Sequence, residues 1–252
     1  MRSPGKGSSF VKVIILGAGQ GKRLLPLTSD VPKALLDIGG KTLIGRQIEA
    51  FAASGVREFV VITGYAARRM DEALAAISSA TGLTIRTLFN PFYSVADNLA
   101  SCWMARHEMT GEFIQVNGDN VFRAGLAARL LAVPEAPATV AINHKAKYDA
   151  DDMKVMMDGM RLTEIGKTLP LEAVDAEAIG FYFFRGEGAR LYAATLDDAM
   201  HDPAGLKQWF PSAVGLLAKK IDVRTVAMDG EEWCEVDFPA DLQAARHLVA
   251  NW

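Results

Sequence analysis

The sequence predicts an α/β fold with a mixed, mainly parallel sheet, and two observations carry this prediction. Short apolar runs alternate with helical patterns over the first two-thirds of the chain, as is typical of strands joined by right-handed crossover helices. From about residue 145, three strand patterns follow one another without helices between them, which indicates a small antiparallel addition. The chain has 252 residues, half of them apolar, so it can bury a sizeable core.

The opening run at 11–16 is apolar and β-branched, as expected of a strand that is buried on both faces. Similar patterns predict strands at 59–62, 84–89, 113–116, 139–143, 153–157, 162–165 and 178–184. Helical periodicity predicts helices at 42–53, 66–80, 99–106, 206–218 and 241–249. Because ligands lie beyond the carboxyl ends of parallel strands, we expect a site where residues 17–23, Asn90 and Asp119 fall.

Composition narrows the class of protein. Residues 1–9 are polar and rich in Gly and Ser, which predicts a disordered leader before a single domain at 10–252. No stretch reaches the roughly 18 consecutive apolar residues of a membrane span, and the run after the leader is too short for a signal peptide. The net charge of −3 gives no reason to expect nucleic-acid binding. Cys102 and Cys234 lie far apart without metal-ligand spacing, which favours reduced cysteines and a cytoplasmic protein.

The strand at 11–16 ends in a turn with three glycines in five residues, and cations follow it. Glycine lets the backbone turn sharply and approach a ligand closely, and exposed amides bordered by cations suit a polyphosphate. The glycines and cations are Gly17, Gly19, Gly21, Lys22, Arg23 and Lys33.

Two familiar phosphate motifs are excluded at this turn. A P-loop needs a glycine where Leu16 stands, and the dinucleotide fingerprint needs its last glycine where Lys22 stands. From the residues alone, a tight strand-to-helix turn with a basic surface stays open as the alternative.

The turn belongs to a longer pattern: an apolar strand, G-A-G-x-G-x-R-L-x-P-L-T, and then P-K-A-L-L-x-I-x-G-K-T-L-I. This pattern resembles the signature of the sugar-phosphate nucleotidylyltransferases, and most closely the bacterial cytidylyltransferases that act on phosphocholine or aminoalkylphosphonates. One departure is Gly17, where the family usually has alanine. The resemblance implies a Rossmann-like three-layer αβα sandwich of the nucleotide-diphospho-sugar transferase type, with a nucleotide-binding half at 10–144 and an acceptor-binding half at 145–252.

Nucleotidyl transfer joins an acceptor phosphate or phosphonate oxygen to the α-phosphorus of a nucleoside triphosphate and releases pyrophosphate. All reacting groups are anions, so the protein must supply cations, alignment and a metal ion. In this scheme Arg23 holds the β- and γ-phosphates, and by the resemblance Lys33 neutralises the α-phosphate; Lys167 completes the expected catalytic set. The expected nucleotide-binding residues are Gly17, Ala18, Gly19, Gly21, Lys22, Asn98, Ser101 and Gly118.

Mg²⁺ takes oxygen ligands, usually one or two carboxylates together with substrate phosphates. Asp119 follows the strand at 113–116, and Asp237 lies in a W-x-E-x-D segment that resembles the family's. The resemblance makes Asp119 and Asp237 the metal pair and Mg²⁺ the cofactor. The residues alone leave open a turn-forming role for Asp119 and a helix-capping role for Asp237.

The stretch 90–101 resembles the N-x-x-Y…N-x-x-S segment of the cytidylyltransferases. Asn98 and Ser101 are three residues apart, so they can share one side of a helical turn and meet a cytosine edge. Capping of that helix by Asp97 or Asn98 stays open as the alternative.

On the acceptor side, D-D-M-K-V and I-x-K segments resemble those of the phosphocholine and phosphonate enzymes. The resemblance places Lys154, Lys167 and Gly180 near the acceptor, whereas solvated lysines and a strand bulge are the alternatives. A quaternary ammonium calls for aromatic residues, and a primary one for carboxylates. Acidic residues here favour an amino-bearing acceptor: Asp149, Asp151, Asp152 and Glu172.

The leading hypothesis is a Mg²⁺-dependent cytidylyltransferase that transfers CMP from CTP to a small acceptor such as phosphocholine or aminoethylphosphonate, with release of pyrophosphate. Two alternatives stay open: a sugar-1-phosphate nucleotidylyltransferase that uses UTP, dTTP or GTP, and a non-catalytic nucleotide-sensing domain. The expected partners are CTP and the acceptor, without nucleic acid or membrane insertion. A homodimer stays open as the assembly state.

Overall fold

The computed structural model describes residues 11–252, so the leader predicted at 1–9 lies outside the described residues. The strands are β1 Lys12–Leu16, β2 Glu58–Thr63, β3 Thr84–Phe89, β4 Phe113–Asn117, β5 Asn120–Phe122, β6 Ala138–Asn143, β7 Lys154–Asp158, β8 Arg161–Gly166, β9 Ala176–Phe184, β10 Val223–Ala227 and β11 Trp233–Glu235. The α-helices are α1 Leu43–Ala53, α2 Ala67–Thr81, α3 Asn98–Met104, α4 Ala124–Leu131, α5 Glu187–Met200, α6 Pro211–Ala218 and α7 Pro239–Ala250.

Nine strands form one sheet in the order β3-β2-β1-β4-β9-β6-β10-β8-β7. Only β8 and β9 run against the direction of the others, so the sheet is mixed and mainly parallel, as predicted. The predicted antiparallel addition is present as β7 and β8 at one edge, and a separate antiparallel sheet pairs β5 with β11.

Helices cover both faces of the sheet. Residues of β1 alternate between the faces: Ile14 belongs to a core shared with α3, α5 and α6, whereas Val13 and Ile15 belong to a core shared with α1, α2 and α4. Both cores are buried, which explains why this strand is apolar from Val13 to Leu16. The three-layer α/β arrangement is therefore confirmed.

The register of β1 and β4 positions the site. Leu16 at the end of β1 lies opposite Asn117 at the end of β4, because the two strands are parallel neighbours. The glycine turn after β1 and the Gly118-Asp119 turn after β4 therefore emerge side by side at the carboxyl edge.

The helix predicted at 206–218 is wrong. The chain forms a short 3₁₀ segment at Pro203–Lys207, passes through extended backbone at Gln208, and begins α6 at Pro211. Proline lacks the N–H that an interior helical position donates, whereas the first turn of a helix leaves that N–H unpaired, so Pro211 begins a helix here. Periodicity also missed α4, α5, β5 and β10.

An ion cluster ties the amino end of β1 to its neighbours. The carboxylate of Glu108 accepts from the amine of Lys12 at 3.0 Å and from the guanidinium of Arg86 at 2.8 Å. Burial alone raises the pKa of Glu108, but the two cations outweigh it and hold the pKa below its usual value.

Within residues 11–252, no helix is long and apolar enough to cross a membrane.

Candidate active site

The glycine turn is shaped around Lys33. At Gly21 the backbone is left-handed (φ +73°), and a Cβ there would lie 2.9 Å from the Cβ of Lys33. Glycine is therefore required for the turn to pass this side chain. The hydroxyl of Thr28 donates to the Gly21 carbonyl at 2.9 Å and fixes the turn, while Gly19 faces open space.

The second turn approaches the first equally closely. A Cβ on Gly118 would lie 2.3 Å from the Leu16 carbonyl oxygen, so only glycine fits between β1 and the start of the turn. Asp119 follows directly, and the Asp119 carbonyl accepts from the Val236 amide at 3.0 Å. Together with the β5–β11 pairing, this bond carries Asp237 from the far end of the chain to the side of Asp119.

Four side chains form what we call the charge cluster: Arg23, Lys33, Asp119 and Asp237. The Lys33 amine lies 3.0 Å from Asp119 Oδ2 and 2.6 Å from Asp237 Oδ1, and Arg23 Nη2 lies 2.7 Å from Asp237 Oδ2. Burial lowers the pKa of Lys33, but the two carboxylates outweigh it and raise this pKa. Burial likewise raises the pKa of Asp237, and the two cations outweigh it and lower this pKa. Lys33 is therefore a fixed cation between the predicted metal ligands.

Two cavities meet at the charge cluster. The glycine cavity, of about 450 Å³, is lined by the glycine turn, Lys33, Ser101 and Gly118. The acidic cavity, of about 490 Å³, is lined mainly by residues after 148. Residues that line both cavities are Arg23, Asn98, Asn117, Asp119 and Asp237. A ligand in one cavity would therefore face a ligand in the other across the charge cluster.

The predicted base-reading residues line the glycine cavity. Ser101 is buried and its hydroxyl accepts from the Asn90 amide at 3.0 Å, while the Asn98 side-chain oxygen accepts from the Phe210 amide at 2.9 Å. Asp97 occupies the N-cap position of α3, but within the described residues its side chain makes no cap bond. The capping alternative therefore has no support in the side-chain bonds at this helix start.

Asp237 likewise is not a helix cap. Phe238 is the N-cap of α7, and the Asp241 carboxylate accepts from the Asp237 amide at 3.0 Å and from the Phe238 amide at 2.7 Å. The Asp237 carboxylate is thereby left to the charge cluster.

The acidic cavity holds more carboxylates than cations. Lys167 lies in it with its amine 4.4 Å from the Trp209 ring centroid and 3.9 Å from Asp151 Oδ1. Glu235 faces the same cavity; desolvation, with the like charges of Asp119 and Asp237, raises the pKa of Glu235 to about 8. The remaining acidic lining residues are Asp149, Asp152, Glu177 and Asp241.

The structure does not bring Lys154 into the acidic cavity. Lys154 is 2% exposed, and its amine donates to the Lys167 carbonyl at 2.7 Å and to the carbonyls of Ala150 and Asp152 at 3.4 Å. It ties the loop at 150–152 to the backbone of Lys167. Lys154 is therefore neither an acceptor-binding residue in this cavity nor the solvated lysine that the sequence left open as the alternative. Sequence spacing does not show which face of the strand is covered, so it does not predict this buried position.

Gly180 lines the acidic cavity through its backbone. Its φ is +83°, and a Cβ there would lie 2.7 Å from Asn120 Nδ2 and 2.8 Å from Asn117 Nδ2. The β6–β9 register shifts between Val140 and Ile142, close to this glycine. The strand bulge that the sequence left open is therefore present, and it makes room for two asparagine side chains.

Two polar residues were missed or left without a role by sequence reasoning. Gln47 is buried in α1, and its amide donates at 2.8 Å to the carbonyls of Asn117 and Asn120, which fixes the turn that carries Asp119. A polar residue on the apolar face of a predicted helix was the available signal. Asn117 lines both cavities, and its buried Oδ1 has no hydrogen-bond partner among residues 11–252.

The donor set fits a hard divalent cation. Asp119 Oδ1 is buried and accepts no hydrogen bond from any described residue, so an oxygen ligand is left over beside Asp237. No group of three or more His, Cys, Asp or Glu within 11–252 could hold a metal ion by itself. A cation here would take further ligands from substrate phosphates and water, as Mg²⁺ does.

Fold and site together define a nucleotidyl transferase. Residues 12–155 match the model of the nucleotidyl transferase family, and the chain belongs to that family. The chain is 26% identical over 257 residues to the CTP:phosphoglutamine cytidylyltransferase of Campylobacter jejuni, covering 92% of this chain and 98% of the relative. It is also 26% identical over 247 residues to the choline-phosphate cytidylyltransferase of Streptococcus pneumoniae, covering 96% and 99%.

Other relatives are longer than this chain. Identity is 27% over 244 residues to the CMP-5'-(3-aminopropyl)phosphonate synthase of Streptomyces rubellomurinus, covering 93% of this chain and 38% of that protein. The chain likewise spans 51% of the bifunctional IPC transferase and DIPP synthase of Aquifex aeolicus. Among solved structures, the CTP:phosphocholine cytidylyltransferase of Streptococcus pneumoniae matches with a TM-score of 0.75 and 23% identity, over 95% of this chain and 99% of that one. This likeness confirms the fold, and the relatives from Campylobacter jejuni and Streptococcus pneumoniae are named cytidylyltransferases, the class that the sequence resemblance implied.

Proposed function

We propose that the protein is a Mg²⁺-dependent cytidylyltransferase that transfers CMP from CTP to a small, amine-bearing phosphate or phosphonate, with release of pyrophosphate. The observation that carries this proposal is the charge cluster at the junction of the two cavities. In-line transfer needs the attacking oxygen and the α-phosphorus to meet where cations and metal ligands converge.

The glycine cavity is the proposed triphosphate site. Amides of the turn at 17–21 and the guanidinium of Arg23 bind the β- and γ-phosphates. Lys33 binds the α-phosphate, a short displacement from its present contacts with Asp119 and Asp237. These two carboxylates hold Mg²⁺, whose chemistry is to neutralise charge on the phosphoryl oxygens and orient them.

The choice of CTP over other triphosphates is supported by the names of the relatives and by the donors in the cavity. The Asn98 oxygen is engaged by Phe210, which leaves its amide hydrogens for the oxygen and ring nitrogen of cytosine. The Ser101 hydroxyl hydrogen is a second donor on the same side of α3, because its oxygen already accepts from Asn90.

The acidic cavity is the proposed acceptor site. Lys167 and Arg23 are its cations and suit the acceptor's phosphate or phosphonate, whereas its excess of carboxylates suits an ammonium group. In this arrangement residues 10–144 form the nucleotide-binding half and residues 145–252 the acceptor-binding half of one domain. The net charge of −3 and the two free cysteines support a cytoplasmic enzyme without nucleic-acid partners.

The test is a matrix of pyrophosphate-release assays with Mg²⁺. CTP, UTP, dTTP and GTP are each combined with phosphocholine, phosphoethanolamine, 2-aminoethylphosphonate and glucose 1-phosphate, and Asp119→Asn serves as the inactive control. We expect release with CTP and the amine-bearing acceptors, at a rate that falls by about 10²-fold or more in the control. Release only with glucose 1-phosphate and another triphosphate would show a sugar nucleotidylyltransferase. Tight CTP binding without release for any acceptor would contradict catalysis and favour a sensor.

A further inference from the structure

The two cavities are joined by a short set of hydrogen bonds between two segments, residues 92–99 and residues 206–210. Two are backbone bonds, from the Asp97 amide to the Leu206 carbonyl at 2.8 Å and from the Leu99 amide to the Gln208 carbonyl at 3.2 Å. Another runs from the Lys207 amine to the Val95 carbonyl at 2.9 Å. The 92–99 segment lines the glycine cavity, and the 206–210 segment lines the acidic cavity.

The bond nearest the reaction centre is made by Asn98. Its Oδ1 accepts from the Phe210 amide at 2.9 Å, and Asn98 is the member of this set whose side chain lines both cavities. A carboxamide presents one oxygen and two N–H hydrogens, so the Phe210 donor also fixes which way the Asn98 side chain points.

Phe210 in turn positions the acceptor side. Its ring is buried and meets the Tyr182 ring edge-on at 4.9 Å, and its backbone begins α6. Trp209, the preceding residue, lies under the Lys167 amine at 4.4 Å from its ring centroid. A shift of the Phe210 amide would therefore move both the aromatic wall and the cation that the acceptor meets.

We infer that Asn98 is a positioning residue: from the nucleotide site, it holds the 206–210 segment that forms a wall of the acceptor site. This inference rests on the proposed function. The side-chain oxygen of Asn98 holds the 206–210 segment in place, and its amide hydrogens face the nucleotide. Asn98 is the connection between the two segments that also lines both cavities, so order that CTP imposes on the 92–99 segment reaches the wall of the acceptor site through this side chain. By thermodynamic linkage, the factor by which bound CTP strengthens acceptor binding equals the factor by which bound acceptor strengthens CTP binding.

Two substitutions separate the oxygen from the amide. Asn98→Ala removes the acceptor of the Phe210 amide, and we expect the KM for the acceptor to rise by roughly 5- to 10-fold, since a desolvated donor loses its partner. Asn98→Ala also removes the amide donors proposed for cytosine, so the Kd for CTP, measured by calorimetry without acceptor, should rise as well, by about as much as in a variant that loses only a cytosine donor. Asn98→Asp keeps an oxygen for the Phe210 amide but replaces the donors proposed for cytosine by an anion, so it should spare the acceptor KM and weaken CTP binding.

Ser101→Ala is the matched control. Ser101 lies one turn further along α3 than Asn98, and it lines the glycine cavity but not the acidic cavity. It should weaken CTP binding and leave the acceptor KM unchanged. Hydrogen–deuterium exchange provides a readout that needs no turnover: the peptide covering 206–212 should exchange faster in Asn98→Ala than in the wild type, and no faster in Ser101→Ala.

Unchanged exchange at 206–212 in Asn98→Ala would overturn the inference, even if the proposed reaction stands. An acceptor KM that does not rise in Asn98→Ala, or that rises equally in Ser101→Ala, would also overturn it. A wild-type enzyme that releases no pyrophosphate with any acceptor would refute the proposed function instead, and the exchange experiment would still decide whether Asn98 holds the segment.

Discussion

Replacing Lys33 by methionine perturbs the whole charge cluster at once, because one amine contacts both carboxylates. At N–O distances of 3.0 and 2.6 Å, each attraction is roughly 5–6 kcal/mol for an effective dielectric constant of about 20, before the cost of removing Lys33 from water. The Lys33 side chain is 13% exposed, so that cost is large and offsets much of the attraction. The net loss of folding stability is therefore expected at about 1–3 kcal/mol.

The catalytic loss in Lys33→Met should be larger than the stability loss suggests. A fixed cation aimed at developing negative charge contributes about 10²- to 10³-fold to kcat, which corresponds to about 2.7–4 kcal/mol. Urea unfolding separates the two effects, since the variant remains folded under assay conditions if the stability estimate is right. Pyrophosphate release at saturating CTP then gives kcat.

The same variant makes a prediction about the metal ligands. Without the amine between them, Asp119 and Asp237 are freed for a cation, so nucleotide-free Lys33→Met should bind Mn²⁺ more tightly than the wild type. Electron paramagnetic resonance of free Mn²⁺ measures this binding without turnover. Lys22→Met is the control, because Lys22 lines the same cavity but contacts neither carboxylate in residues 11–252. Unchanged Mn²⁺ affinity together with a kcat within about threefold of the wild type would refute this account of Lys33.

Two further predictions concern the scaffold. Gly180→Ala places a Cβ 2.8 Å from the side-chain amide nitrogen of Asn117 at a φ of +83°, so the free energy of unfolding measured in urea should fall by roughly 1–3 kcal/mol. Gly166→Ala is the control and should be nearly neutral, because a Cβ at Gly166 would meet open space. Equal losses in the two variants would contradict the assignment of strain to Gly180. Glu108 has a folded pKa below its unfolded value, so its stabilising contribution is present above the unfolded pKa and is lost as pH falls through the folded pKa. Glu108→Gln should therefore lower the free energy of unfolding at neutral pH by an amount that vanishes in acid; a difference that does not change with pH would count against the ion cluster.

The sequence predicted the part of the site that one stretch of chain supplies. Gly21, Arg23 and Lys33 lie within one stretch of chain, and the structure places them around one cavity. Their phosphate-binding roles stay a prediction that rests on a turn of amides bordered by cations. Strands β1, β2, β4 and β6 were also predicted within one or two residues, because a strand buried on both faces is mostly apolar. The three-residue strand β5 is too short to show such a pattern and was missed. These signals are local, and local patterns can be seen without knowing the topology.

What the sequence could not show depends on long-range contacts. Asp237 reaches Asp119 only because β11 pairs with β5 and because Val236 donates to the Asp119 carbonyl. The direction of the Lys154 amine depends on which face of β7 is covered, which periodicity over five residues does not settle. The bond between Asn98 and Phe210 joins segments more than one hundred residues apart, and no local pattern marks it.

The most direct test of the central claim is the product itself. Purified wild-type protein is incubated with CTP, Mg²⁺ and 2-aminoethylphosphonate or phosphocholine, and mass spectrometry and a pyrophosphate assay follow the same sample. The charge cluster between the two cavities predicts a CMP–acceptor adduct formed in a one-to-one ratio with pyrophosphate. Release of inorganic phosphate and CDP, or loss of CTP without any adduct, would contradict nucleotidyl transfer at this site.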